Sequence, residues 1–307
     1  MSEVHKSFTE IVCRINHLKK EKNALILVHN YQPLEIHTVA DITGDSLQLA
    51  QEAAKTDARI IVMAGVRFMA ETAKILNRKS KVLLSHPNAG CPMADMITAE
   101  QLRKFKSDFP GAVVVCYVNS SVEVKAESDI CCTSSNALKV VKSIPAEKKI
   151  LFVPDQNLGS YAAKKSGREI IVWQGFCSVH HVNITVDDVR RARENYPGYT
   201  LIVHPECIPE VVDLADMVAS TKGMADFVAE NDRIILGTEV GLTEQLQNRY
   251  PEKRIVPLSE RAICRNMKKS SLPLLLEVIQ QEKNEITIAP EIADRALSAV
   301  KRMLEVT

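Results

Sequence analysis

Apolar residues along this chain fall into short unbroken runs, separated by longer stretches in which they recur every three or four positions. Short runs rich in Val, Ile and Leu read as strands buried on both faces, and the periodic stretches between them read as helices. The first third offers Ala24–Val28, Arg59–Ala64 and Val82–Leu84, with helices expected over Ser46–Lys55 and Phe68–Leu76. The middle offers Ala112–Cys116, Ile150–Val153 and Ile170–Trp173, and the last third Leu201–Val203, Ile234–Leu236 and Ile255–Val256. Phe8, Ile11, Val12, Ile15 and Leu18 share one face of a helix expected from Ser2 to Lys22, and Leu272–Gln281 and Ile292–Leu304 read as two closing helices. Strands alternating with helices predict an α/β fold with parallel sheets.

The pattern also repeats. Cys91, Cys177 and Cys264 stand 86 and 87 residues apart, each after a strand-like run and in a turn containing Gly, Pro or Ser. Asp41, Asp129 and Asp216 are spaced by 88 and 87, and a hydroxyl follows each by five residues: Ser46, Ser134 and Thr221. His29-Asn30-Tyr31, Tyr117-Val118-Asn119 and His204-Pro205-Glu206 each follow the first strand of a unit. A unit of about 87 residues suits a small α/β domain better than a solenoid repeat. The expectation is three similar parallel-sheet α/β domains about a pseudo-threefold axis, with the active site and a metal centre in the middle. Their extents are residues 1–105, 106–190 and 191–270, followed by closing helices over 271–307. The breaks lie where helical stretches run into Pro110 and into Pro197-Gly198.

Composition narrows the function classes. At 307 residues with 46% apolar and 25% charged positions, the chain has the make-up of an ordinary soluble protein. Thirty-nine basic against thirty-eight acidic residues leave a net charge of +1, which offers no footprint for a nucleic acid. The longest apolar runs, such as Ala112–Val118, fall far short of a membrane span. No charged segment followed by an apolar one opens the chain, so a cytoplasmic location is expected. Eight cysteines in such a setting read as reduced thiols. Those outside the register, Cys13, Cys116, Cys131, Cys132 and Cys207, read as buried or incidental.

Loops at the carboxyl ends of strands are where α/β proteins bind ligands. Three thiolates there favour zinc or an iron-sulfur cluster, although cysteines that share only ancestry and packing would show the same spacing. The absence of a Cys-x-x-Cys pair argues against a closed structural zinc site. Three cysteines around a 4Fe-4S cluster would leave one iron open as a Lewis acid. Ser46, Ser134 and Thr221 precede helical stretches, as helix caps or as hydroxyls around an anionic substrate. His204-Pro205-Glu206 is the densest acid/base pair, and His180 and His181 follow Cys177 by three and four residues; for His181 a structural role is expected. Dinucleotide-binding, P-loop and serine-hydrolase signatures are missing.

From Lys22 to Leu275 the chain resembles the quinolinate synthases, iron-sulfur enzymes of de novo NAD biosynthesis. The likeness rests on His29–Gln32, Gly44-Asp45-Ser46, Ala64–Glu71, Gly90-Cys91-Pro92-Met93-Ala94, Tyr117-Val118-Asn119, Pro154–Gly159, Trp173–His180, His204–Cys207, Gly237-Thr238-Glu239 and Cys264–Lys268. The resemblance implies a 4Fe-4S cluster on Cys91, Cys177 and Cys264. It implies substrate binding by His29, Ser46, Tyr117, Asn119, Ser134, His204, Glu206 and Thr221, and catalytic roles for Tyr31, His180 and Glu206. The implied reaction condenses iminoaspartate with dihydroxyacetone phosphate to quinolinate, releasing phosphate and water. A functional link to an L-aspartate oxidase or dehydrogenase that makes the unstable imine follows, with no nucleic-acid or membrane partner. Some members carry a Cys-x-x-Cys-x-x-Cys motif at the last ligand; here only Cys264 is present, so no disulfide switch is expected there. A zinc-dependent hydrolase and a non-catalytic iron-sulfur binding or sensor protein are the alternatives.

Overall fold

The computed structural model describes residues 3–306; Ser2 of the expected first helix and Thr307 lie outside the described residues. Two compact units emerge, Met1–Cys91 with Arg265–Pro290, and Pro92–Cys264 with Glu291–Thr307.

Among the described residues the strands form three parallel sheets of four, all with one topology. The first holds β1 (Ala24–His29), β2 (Ile42–Gly44), β3 (Ile60–Ala64) and β4 (Lys81–Leu84) in the order β2-β1-β3-β4. The second holds β5 (Val113–Tyr117), β6 (Ile130–Cys132), β7 (Ile150–Val153) and β8 (Ile170–Val172) as β6-β5-β7-β8. The third holds β9 (Thr200–Val203), β10 (Met217–Val218), β11 (Arg233–Gly237) and β12 (Arg254–Pro257) as β10-β9-β11-β12. The first sheet lies in the first unit, and the other two lie in the second.

Each sheet has one strand more than the apolar runs reveal. The extra strands β2, β6 and β10 span only two or three residues. The repeated aspartates fasten them. Asp41 Oδ2 accepts from the Ile26 amide at 2.8 Å, Asp129 Oδ2 from Val114 at 2.7 Å and Asp216 Oδ2 from Leu201 at 2.8 Å. Each aspartate amide returns the bond to the same residue's carbonyl. The carboxylate thus substitutes for ladder bonds that such a short strand lacks.

Inner strands are apolar along most of their length because helices cover both faces; all five residues of β3 are buried. In the first unit Ile15 and Leu18 of the helix Glu3–Glu21 and Leu272, Leu275, Val278 and Ile279 of the helix Leu272–Gln281 join Ile26, Val28 and Val62 in one core. In the second unit Leu201, Val203 and Ile235 pack with Ile184, Val189 and Val211. The helices Ala99–Ser107 and Val186–Asn195 start on Thr98 and Thr185 capping boxes. No described helix is long and apolar enough to cross a membrane.

Candidate active site

In the second unit, loops following strands of the second and third sheets converge on a buried polar network. Tyr117 ends β5 and donates its hydroxyl to Glu206 Oε1 at 2.5 Å. Glu206 Oε2 lies 2.7 Å from His180 Nδ1, and His180 Nε2 lies 3.0 Å from Thr238 Oγ1 just past β11. His180 Nδ1 is also 3.3 Å from Cys177 Sγ. His204 stacks on His180 with ring centroids 4.6 Å apart, and its Nε2 lies 3.2 Å from Ser134 Oγ. Glu206, His180 and His204 are 3%, 2% and 2% exposed.

A carboxylate buried this deeply persists only if its charge is met. Burial by itself raises the Glu206 carboxyl; the adjacent imidazoles and the His180 and Tyr117 hydrogen bonds reverse that and hold it below its ordinary range. Burial depresses His204 to about 3, against a weaker opposing pull from Glu206. A ring so depressed is neutral near pH 7, so the contacts that favour the ionised carboxylate are those from His180 and Tyr117. His204 Nδ1 accepts the Glu206 amide at 3.3 Å, which puts the proton of the neutral ring on Nε2, facing Ser134. Asn157 Nδ2 braces the loop by donating to the Glu206 carbonyl at 2.9 Å.

The repeated hydroxyls are not helix caps. Asp45 caps the helix Ser46–Lys55 and Ser220 caps Thr221–Glu230, each one residue earlier, while Ser134 lies in the turn before the helix Ala137–Ser143 that begins after Asn136. Neighbours do the capping. Ser135 Oγ donates to Ser220 Oγ at 2.9 Å, tying the Ser134 loop to the start of the Thr221 helix. Asn119 Oδ1 is buried without a hydrogen-bond partner in the protein.

In the first unit His29 ends β1 and Tyr31 follows it by two; their rings meet edge to face at 4.7 Å, with Lys268 Nζ donating to the Tyr31 carbonyl at 2.7 Å. Ser46 opens its helix and Cys91 ends the unit's first segment. His181 Nδ1 lies 2.9 Å from Asn157 Nδ2, and the ring stacks on Phe176.

Burial separates the cysteines into the same classes as their spacing. Cys91, Cys177 and Cys264 are partly exposed, Cys116, Cys131, Cys132 and Cys207 are buried, and Cys13 is on the surface. No disulfide joins any of them. Each of the three partly exposed cysteines offers a soft thiol donor, the ligand type that iron-sulfur clusters and zinc take. Cys177 Sγ, a His180 ring nitrogen and a Glu206 oxygen also lie within 4.8 Å of one another, a spacing one metal ion could bridge.

Residue spacing gave no role to Thr238, Asp155, Asn157 or Glu239, although all four stand inside the motifs quoted above. Their signal was a polar residue placed directly after a central strand or at the start of the next helix.

A family model described as NadA, quinolinate synthetase A protein, matches residues 13–305. The quinolinate synthase of Alkaliphilus metalliredigens is 50% identical over 301 residues, covering 97% of this chain and 99% of that protein. That of Methanoregula boonei is 50% identical over 289 residues, with 94% and 95% covered. That of a Sulfurihydrogenibium species is 48% identical over 305 residues, with 97% and 98% covered.

Proposed function

The chain belongs to the quinolinate synthase family, and from that premise we propose that Cys91, Cys177 and Cys264 hold a 4Fe-4S cluster while Tyr31, His180 and Glu206 move the protons of the reaction. The enzyme condenses iminoaspartate with dihydroxyacetone phosphate to quinolinate, with loss of phosphate and water. Bound by three thiolates, the cluster would supply an open Lewis-acidic iron for the dehydration steps.

The observation that carries the residue assignments is the buried chain Tyr117–Glu206–His180–Thr238. A carboxylate held in its ionised form is a weak base by itself. Glu206 works as half of a pair: it takes a proton from the substrate while His180 Nδ1–H holds its other oxygen at 2.7 Å, and it gives that proton to the departing hydroxide as water, so the carboxylate is regenerated. Neutral His204 offers Nε2–H to a substrate oxygen without adding charge, and the Ser134 hydroxyl, the Asn119 amide and Thr221 extend that polar lining. His29, Ser46 and Tyr31 complete the substrate-binding and proton-transfer set. The imine hydrolyses in water, which favours coupling to an L-aspartate oxidase or dehydrogenase that supplies it, and we place the enzyme in the cytoplasm. The division into repeats at residues 1–105, 106–190 and 191–270, with closing helices over 271–307, belongs to the same proposal.

The alternative favoured by one specific observation is a single zinc ion at Cys177, His180 and Glu206. An anaerobic absorption spectrum with iron, sulfide and zinc content separates the two. A brown protein with a band near ~400 nm and about four irons and four sulfides per chain supports the cluster, and Cys91→Ala then loses cluster and quinolinate formation together. A colourless protein with one zinc, or a fully active Cys91→Ala, overturns it.

A further inference from the structure

The cysteine loops of the second and third sheets share a device that the reaction does not explain. Two residues beyond the end of β7 stands Asp155, and two beyond β11 stands Glu239; both are fully buried. Asp155 Oδ2 accepts the Cys177 amide at 3.2 Å, and Glu239 Oε1 accepts the Cys264 amide at 3.1 Å. The other oxygen of each carboxylate caps a helix: Asp155 Oδ1 accepts Leu158 N at 2.7 Å, and Glu239 Oε2 accepts Gly241 N at 2.7 Å. The residue after each acid then bonds two positions upstream of the cysteine, Gln156 N to Gly175 O at 2.8 Å and Val240 N to Ala262 O at 2.9 Å. Gly175 leaves room for this approach, because a Cβ there would run into the Pro154 carbonyl.

The first unit keeps the backbone part of the device. Arg67 N bonds Ala89 O, two residues before Cys91, at 2.7 Å. The position matching the acids is Val66, which has no side-chain acceptor. A plain cap would need only one carboxylate oxygen, and a loop of this kind closes in the first unit without an acid. The second oxygen therefore has a separate task.

We infer that Asp155 and Glu239 are positioning residues for the metal centre, each fixing the backbone of one ligand cysteine, Cys177 and Cys264, from the end of a central strand. This rests on the cluster assignment proposed above. Residues that orient metal ligands typically contribute 10- to 100-fold in metal affinity.

Asp155→Asn and Glu239→Gln separate the two tasks. The carbonyl oxygen of the new amide keeps the shorter capping bond, and its NH₂ is turned against the cysteine N–H. In anaerobically reconstituted protein, each variant should release iron to a ferrous chelator about tenfold or more faster than wild type. In the metal-free protein, amide hydrogen exchange should rise at Cys177 in Asp155→Asn and at Cys264 in Glu239→Gln, each leaving the other loop unchanged. Wild-type protein that takes up no iron and sulfide overturns the cluster reading and this inference with it. A loaded wild type whose variants release iron at its own rate, or exchange that is unchanged at the matching cysteine, overturns the inference alone. Should one variant fail to fold, the other decides on its own loop.

Discussion

After β1 the Tyr31 amide donates to His29 Nδ1 at 3.1 Å, and after β9 the Glu206 amide donates to His204 Nδ1 at 3.3 Å. The next amides, of Gln32 and Cys207, close both turns on the histidine carbonyls at 3.0 Å. One backbone turn thus serves two loops, and in each it occupies Nδ1 and presents Nε2. The difference lies at the third residue. Tyr31 packs edge-on against its histidine, whereas Glu206 buries a charge that must be met by Tyr117 and His180, with its loop braced by Asn157. A repeated turn can therefore carry an aromatic residue at little cost, but it carries a buried carboxylate only where loops of a neighbouring sheet have evolved to receive it.

The largest effect should separate the two third residues. Glu206→Gln keeps the shape of the side chain and removes its charge, and quinolinate formation should fall about 10²- to 10⁴-fold with iron and sulfide content unchanged. Tyr31→Phe, assayed alongside, should lose less. A Tyr31→Phe enzyme more damaged than Glu206→Gln would reverse the ranking of the two loops.

A smaller effect sharpens the contrast through pH. Between pH 6.5 and about 3 an unfolded histidine takes up a proton that folded His204 refuses. The unfolded chain then binds more protons, so stability falls as pH falls through that window. The depressed Glu206 carboxyl adds a loss of the same sign below its unfolded value of 4.5. For His204 the full effect is on the order of a few kcal/mol. Thermal melts of metal-free protein against pH should show a shallower acid limb in His204→Gln than in wild type, and equal slopes would remove His204 from the account.

Smallest is Ser134→Ala, which deletes the hydroxyl partner of His204 Nε2. It should cost about 1 kcal/mol of stability in urea unfolding, with a rise in KM exceeding any fall in kcat. An unchanged KM would leave Ser134 a structural residue.

Much of this molecule was legible before any coordinates. The helices Ser46–Lys55 and Leu272–Gln281 and the strand Ile150–Val153 have the limits expected of them, and the other longer strands differ from theirs by a residue at one or both ends. The register of Cys91, Cys177 and Cys264 marked equivalent loops. What escaped was whatever depends on partners far along the chain. The edge strands β2, β6 and β10 are too short to announce themselves, and the hydroxyls looked like caps because their capping neighbours Asp45 and Ser220 lie one residue away.

The sequence by itself determined the repeat, the alternation of strand and helix, and the chemical identity of the donors, since burial periodicity and ligand softness are properties of residues and their spacing. Only the tertiary structure decided which groups share a proton and which merely hold a loop in place. Tyr117 and Glu206 stand 89 residues apart, and His180 and Thr238 stand 58 apart. Those separations closed to hydrogen-bond distance once the sheets had folded, and the low-dielectric surroundings created there held Glu206 ionised and His204 neutral.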